Sequence, residues 1–271
     1  MTLLTEMFSY SFMVRGFIVG FIISLCAALL GSPLVLKRYS MIGDGLSHVS
    51  FGAMAIATAL NWAPLSLAIP LVILASVILL NLSEKGTLRG DAFLGLISTG
   101  SMAVGVSAIS LTKGMNIDVT NYMFGSILSM TQGDVYLSLV LGALIILSFI
   151  LFYHEIFAVT FDETFARVSG GPYKAYKMLL AVLTAITIVL GMRMMGAMLI
   201  SSLILFPAFS AMQVFGRFYQ LIIASAILGV TAFLLGMVLS YFYALPTGAS
   251  IVLINMSFFI IFYLIGRRKN A

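Results

Sequence analysis

Apolar residues run along this chain in stretches of about 20, the length that carries a helix across a hydrocarbon core, and each stretch stops at a short polar interruption. The first runs from Phe12 to Leu36 and stops at Lys37-Arg38; the second starts near Met41 and ends before Asn61-Trp62-Ala63-Pro64. Further stretches cover Leu65 to Leu82, Ala92 to Leu111, Val135 to Phe152, Met178 to Leu190, Met195 to Val214, Phe218 to Leu239 and Ser250 to Ile265. Only Arg193 separates the sixth from the seventh, so eight and nine spans both fit the pattern, and nine is preferred. Between the fourth and fifth lies a less apolar stretch, Lys113 to Asp134, holding a short apolar element from Tyr122 to Met130. That element is too short to cross and is expected to be external or partly re-entrant, which is tolerated where protein buries it. The pattern predicts an all-α polytopic bundle forming a single domain over residues 1–271, with a polar loop at 153–177.

Composition agrees. The 271 residues are 62% hydrophobic and 8% charged, against about 25% charged in a soluble domain. The net charge of +5 does not point to nucleic acid, because the basic residues cluster on no periodic face. Their placement sets orientation instead. With nine spans and the N-terminus outside, only Arg15, Lys113 and Arg193 of the 14 basic residues fall away from the cytoplasmic side, the bias expected of positive-inside loops. The N-terminus lacks the basic region, short apolar core and cleavage site of a signal peptide, and none is expected. Cys26, the one cysteine, lies in an apolar run and reads as a small buried hydrophobe.

Within this apolar chain one segment is anomalous. GDGLSH places Asp44 and His48 four residues apart, on one side of a helix, where ionisable groups are costly and mark pathways. Aspartate oxygen with histidine nitrogen suits a divalent metal such as zinc or manganese. Two side chains from one helix do not complete a coordination sphere, and an incomplete sphere suits a transport path, which must also release its ion. Gly43 and Gly45 flank the aspartate and Gly52 lies one turn past His48; such residues permit close helix approach or a broken helix beside a cavity. The competing reading has Asp44 capping a helix and His48 as its hydrogen-bonded partner. His154-Glu155 continues as Ile-Phe-Ala, so there is no HExxH protease motif.

Other motifs carry less. In FDETFARVSGGP the acidic residues Asp162 and Glu163 precede Phe165 and Ala166, and Gly170-Gly171-Pro172 ends the run, which predicts a short helix by dipole and capping logic. It is either a packed linker or a docking element. No G-x-x-x-x-G-K-[ST] phosphate loop occurs, so any ATP hydrolysis belongs to another polypeptide. Met192, Met194, Met195 and Met198 read as packing rather than copper ligands. Pro207 is expected to kink its span and expose a carbonyl to a path. Gly16 and Gly20 form a small-xxx-small pair, and Tyr241-Phe242-Tyr243 an interfacial aromatic band. Asp118 and Asp134 are either solvated or cation-attracting.

Laid out together, LVLKRYSMIGDGLSH, NYMFGSILSMTQGD, FDETFARVSG, MRMMGAMLISSLILFPAFSAM and YALPTGASIVLI resemble, over nearly the whole chain, the permease subunits of bacterial ABC importers for zinc, manganese or iron. The resemblance implies a bacterial plasma (inner) membrane protein of the type II architecture, like vitamin B12 and metal-chelate importers. It further implies a non-catalytic subunit that works with a second copy of itself, ATP-binding cassette ATPase subunits, an extracytoplasmic metal-binding protein and membrane lipid. No cofactor is held stably; the transported metal passes through, and ATP is used on the partner subunit. Asp44 and His48 match the family's metal-contacting residues, and Phe161, Asp162, Glu163, Ala166 and Gly170 its coupling helix. Gly43, Gly45, Gly52 and Pro207 would shape the pathway. Two departures stand out: Val49-Ser50-Phe51-Gly52 where many relatives have Leu-Pro-Gly, implying a straighter helix, and Phe209 after Pro207-Ala208, implying a narrower path. Zinc is slightly favoured over manganese, and uptake is expected to weaken in acid as protons compete at His48. An ion-coupled secondary transporter is the alternative for the same intramembrane pair, with a structural scaffold behind it.

Overall fold

The computed structural model describes residues 3–85, 90–112, 125, 131–162 and 172–269. Among these residues there are eleven helices: α1 (Leu3–Ser9), α2 (Ser11–Leu36), α3 (Ser40–Ala59), α4 (Pro64–Lys85), α5 (Gly90–Leu111), α6 (Gln132–Leu151), α7 (Tyr153–Phe161), α8 (Tyr173–Met195), α9 (Ala197–Met212), α10 (Phe218–Tyr243) and α11 (Thr247–Lys269). Six are long and apolar enough to cross a membrane: α2, α5, α6, α8, α10 and α11. The other three long helices fall short of that measure for separate reasons. The described apolar part of α4 ends at Leu80 and α9 has 16 residues. In α3 the length suffices, but the GDGLSH half dilutes its hydropathy. Six such helices, rather than the expected eight or nine, are therefore established among the described residues.

The turns explain why α3 stands as a separate helix. At its entrance Arg38 takes a left-handed φ of 61°. Arg38 N–H donates to the Val35 carbonyl at 3.0 Å and Tyr39 N–H to Leu34 at 2.9 Å, the paired bonds of a Schellman stop. Asn61, with φ 57°, repeats the arrangement at its exit: Asn61 N–H reaches Thr58 at 3.0 Å and Trp62 N–H reaches Ala57 at 2.8 Å. Pro64 then opens α4, a position where its missing N–H costs nothing. Between these stops α3 runs unbroken from Ser40 to Ala59, as the absence of the Leu-Pro-Gly stretch implies.

The core is built round α2 and α8, the two most enclosed of the spanning helices. Bare glycine positions let helices meet. Gly31 of α2 lies on the Ile204 backbone of α9, Gly236 of α10 on Ile251 of α11, and Gly52 of α3 on Ser101 of α5. A buried hydroxyl relay joins three helices: Ser32 Oγ donates to Ser225 Oγ at 3.1 Å, and Ser225 donates to the Pro207 carbonyl at 3.4 Å. Cys26 is buried, its Sγ donating to the Gly142 carbonyl at 3.6 Å across α2 and α6. Met192, Met194 and Met195 are buried in the core while Met198 is exposed, so they pack and do not converge on a site.

The stretch read from sequence as one polar loop, 153–177, is helical at both ends. α7 follows α6 directly, and its Tyr153, Phe157 and Phe161 rings all lie against Phe218 of α10, with centroids 5.2 to 5.6 Å apart. α8 begins at Tyr173, five residues before the predicted Met178. Lys177, which had marked the loop, is buried with Nζ 5.9 Å from the Tyr39 ring centroid. A lysine stem is apolar and its ammonium is satisfied over an aromatic face, which a polarity reading misses. Of the predicted short helix, Glu163, Ala166 and Gly170 lie outside the described residues, as does the Tyr122–Met130 element apart from Gly125.

Candidate functional site

The head of α3 enters the bundle from the Arg38 turn, which puts Asp44 about 7 Å and His48 about 13 Å along the helix axis at 1.5 Å per residue. Helical spacing brings the two side chains together, with His48 Nε2 3.7 Å from Asp44 Oδ2. That gap is too long for a hydrogen bond. It is shorter than the sum of two ligand bonds of about 2.1 Å each, so one divalent ion can touch both atoms. The His48 side chain is 24% exposed and that of Asp44 51%, which leaves the pair open to an arriving ion.

A third residue joins them. Ser201 of α9 donates from Oγ to Asp44 Oδ1 at 3.3 Å and shares the same hydrogen with the Ala197 carbonyl at 3.1 Å. Asp44 thus has one oxygen held by α9 and the other turned towards His48. Ser47 Oγ donates to the Asp44 carbonyl at 2.7 Å, within the same helix. The capping alternative is not what forms: α3 starts at Ser40 with Tyr39 as N-cap, so Asp44 sits inside the helix. Among the described residues no third Asp, Glu, His or Cys joins the pair as a potential metal ligand.

The surrounding glycines divide by contact. A Cβ on Gly43 would meet Ile204 Cδ1 at 3.6 Å, an ordinary contact, and one on Gly45 would meet side-chain atoms alone, the tip of Leu94 at 2.9 Å and Ser98 Oγ at 3.4 Å. Gly52 differs, because its Cβ would stand 2.6 Å from the Ser101 carbonyl oxygen of α5. Gly105 closes the same crossing, with Gly52 Cα at 3.0 Å from its Cβ position. Pro207 is not brought to the pair. It lies six residues beyond Ser201 and contacts α10, where a Cβ on Gly229 would meet Pro207 Cγ at 3.4 Å.

Phe161 and Asp162 are the described part of the predicted coupling segment. Phe161 is half-exposed, tilted at 44° to Phe157 with centroids 4.9 Å apart and edge-on to Phe218 at 5.6 Å. Asp162 is exposed at the end of α7. The end of α7 is tied to the head of α3, because Lys37 Nζ donates to the Val159 carbonyl at 2.9 Å and lies 5.8 Å from the Tyr39 ring centroid.

Asp134 proves to be neither simply solvated nor free for cations. Its carboxylate accepts from Thr131 N–H at 3.1 Å while Thr131 Oγ1 accepts from Asp134 N–H at 3.2 Å, a capping box that starts α6. The same carboxylate pairs with Arg193 at 3.3 Å. No sequence pattern points to Ser201, since a serine in an apolar helix more often bonds its own backbone. The break expected between Leu190 and Met195, marked in the sequence only by Arg193, falls at Gly196, with φ 86° and ψ 161°.

A bundle of apolar helices carrying an ionisable pair on a polar helix is a multi-pass membrane transport protein in class. The chain belongs to the ABC 3 transport family, whose model matches residues 9–266, and is a multi-pass inner-membrane permease of that family. It is 32% identical to the high-affinity zinc uptake system membrane protein ZnuB of Buchnera aphidicola, over 88% of this chain and 91% of that one. It is 23% identical to the manganese transport system membrane protein MntC of Halalkalibacterium halodurans, over 98% and 91%. The solved structure of PsaBC from Streptococcus pneumoniae in complex with Fab superposes with a TM-score of 0.86 at 27% identity, covering 96% of this chain and 94% of that one.

Proposed function

We propose that the chain is the non-catalytic permease subunit of an ATP-driven importer of divalent metal ions, with zinc slightly favoured over manganese and with iron as a further candidate. The observation that carries this reading is the 3.7 Å approach of His48 to Asp44, with Asp44 held from α9 by Ser201, in a chain of the ABC 3 family. Family membership also favours ATP-driven import over the ion-coupled secondary transporter. The preference for zinc rests on the nitrogen ligand that His48 adds to the aspartate oxygens.

In this reading nine spans place the Lys37 turn on the cytoplasmic side, and two copies of the chain face each other as in the type II architecture. Two Asp44–His48 pairs then supply the ligands that one pair lacks, and the ion retains or sheds water to complete its sphere. ATPase subunits dock beneath at Phe161 to Gly170, a metal-binding protein delivers the ion from outside, and Gly43, Gly45, Gly52 and Pro207 shape the path, Gly52 and Pro207 through helix packing and Gly43 and Gly45 by leaving the surface beside Asp44 free of side chains. The test is metal uptake by the permease–ATPase complex in liposomes, with the accumulated ion identified by elemental analysis. Asp44→Asn is expected to lower uptake by about tenfold or more, the scale of losing a metal-site partner, while the complex still assembles. Normal uptake by that variant at normal membrane abundance overturns the pathway role.

A further inference from the structure

The end of the bundle opposite Lys37 carries an arrangement that the transport reading leaves unused. α8 runs from Lys177, beside the Tyr39 ring, to Arg193, a length of about 24 Å at helical rise. There Arg193 Nη2 meets Asp134 Oδ2 at 3.3 Å, with the two side chains 20% and 14% exposed. Asp134 is fixed before Arg193 reaches it, because the capping box with Thr131 sets its carboxylate at the start of α6. Two residues past Arg193 the Met195 backbone is covered by Gly125, whose φ is 77°; a Cβ there would lie 2.6 Å from Met195 Cα. Gly196 then breaks the chain at φ 86°, and the fifth residue of α9 is Ser201, the donor to Asp44.

We propose that the Asp134–Arg193 ion pair is a positioning clasp: it fixes the end of α8 at the Gly196 hinge, sets α9 against α3, and so directs the Ser201 hydroxyl to Asp44. The inference rests on the reading that Asp44 and His48 contact the transported ion. Two observations make the link sensitive. The Ser201 hydrogen is shared between Asp44 at 3.3 Å and the Ala197 carbonyl at 3.1 Å, so a small shift of α9 decides which acceptor keeps it. The hinge conformation is open only to glycine, so α9 takes its direction from what holds Met195 and Arg193 rather than from helix continuity.

A double-mutant cycle across the hinge tests this, using zinc uptake by the permease–ATPase complex in liposomes. Arg193→Gln and Ser201→Ala are each expected to lower kcat/KM by about tenfold, within the usual range of a coupling between sites. The double variant is expected to fall no further than the worse single, and Arg193→Lys to recover part of the loss. Losses that multiply in the double variant overturn the clasp, since uncoupled sites act independently. Asp44→Asn in the same assay separates the two ideas: its normal uptake sinks the transport reading, whereas its failure together with multiplying losses sinks the clasp alone. Should Arg193→Gln not reach the membrane, Asp134→Asn with Arg193→Gln removes both charges and avoids stranding one of them. Uptake matching Ser201→Ala supports the proposal, and wild-type uptake overturns it.

Discussion

At the scale of single residues, the metal contacts proposed for α3 would divide by ligand type. Asp44 brings oxygen and has one of its two oxygens occupied by Ser201, whereas His48 brings the only nitrogen near it among the described His, Cys, Asp and Glu residues. Softer, nitrogen-containing sites lean to zinc and all-oxygen sites to manganese. His48→Asp is therefore expected to move the uptake preference from zinc towards manganese by about tenfold, the scale of metal-site perturbations, in a competition assay with both ions. An unchanged ratio places the ion away from His48. Asp44 and His48 were legible in the sequence because an ionisable group in an apolar span costs too much to be incidental. Ser201 was not, because a hydroxyl costs little there and its partner is 157 positions away along the chain.

Among elements, the crossing of α3 and α5 depends on Gly52 and Gly105 rather than on the glycines beside Asp44. The Gly52 Cβ position lies 2.6 Å from a backbone oxygen, which cannot rotate away. Gly52→Ala is expected to force the helices apart at a cost of about 1–3 kcal/mol, the range for overpacking, and to lower thermal stability in detergent. Gly43→Ala, with its nearest atom at 3.6 Å, is expected to leave stability unchanged; equal melting temperatures for the two variants contradict this assignment. The apolar stretches located α2, α6 and α10 to within a few residues of their observed ends, since polar residues bound each of these apolar runs. They failed at Lys177, whose charge is buried against Tyr39, and placed the α8–α9 break only to within a few residues, because at Gly196 one backbone angle rather than any change of polarity ends the helix.

At the scale of the whole molecule, the question is how events at the ATPase would reach Asp44, and the end of α7 is where the contacts converge. Phe157 and Phe161 pack on Phe218 at the head of α10, and Lys37 joins the Val159 carbonyl to the turn from which α3 starts. In the proposed reading a push arriving after Asp162 would be shared between α10 and α3, and α3 carries Asp44 about one turn and His48 about two turns further on. Each aromatic contact of this kind contributes about 0.5–1.5 kcal/mol. Phe161→Ala removes two of them, an amount equivalent to about a 5- to 150-fold change in coupling between sites. The complex is then expected to assemble and hydrolyse ATP while importing less metal, so that ATP consumed per ion rises. Charge reversal at Glu163 differs in kind, because in the proposed reading that residue belongs to the docking segment, and it is expected to weaken co-purification of the ATPase. Measuring both readouts on both variants discriminates the roles. Normal stoichiometry in Phe161→Ala removes α7 from the transmission path, and normal ATPase binding with normal coupled turnover in Glu163→Lys moves the docking contact elsewhere.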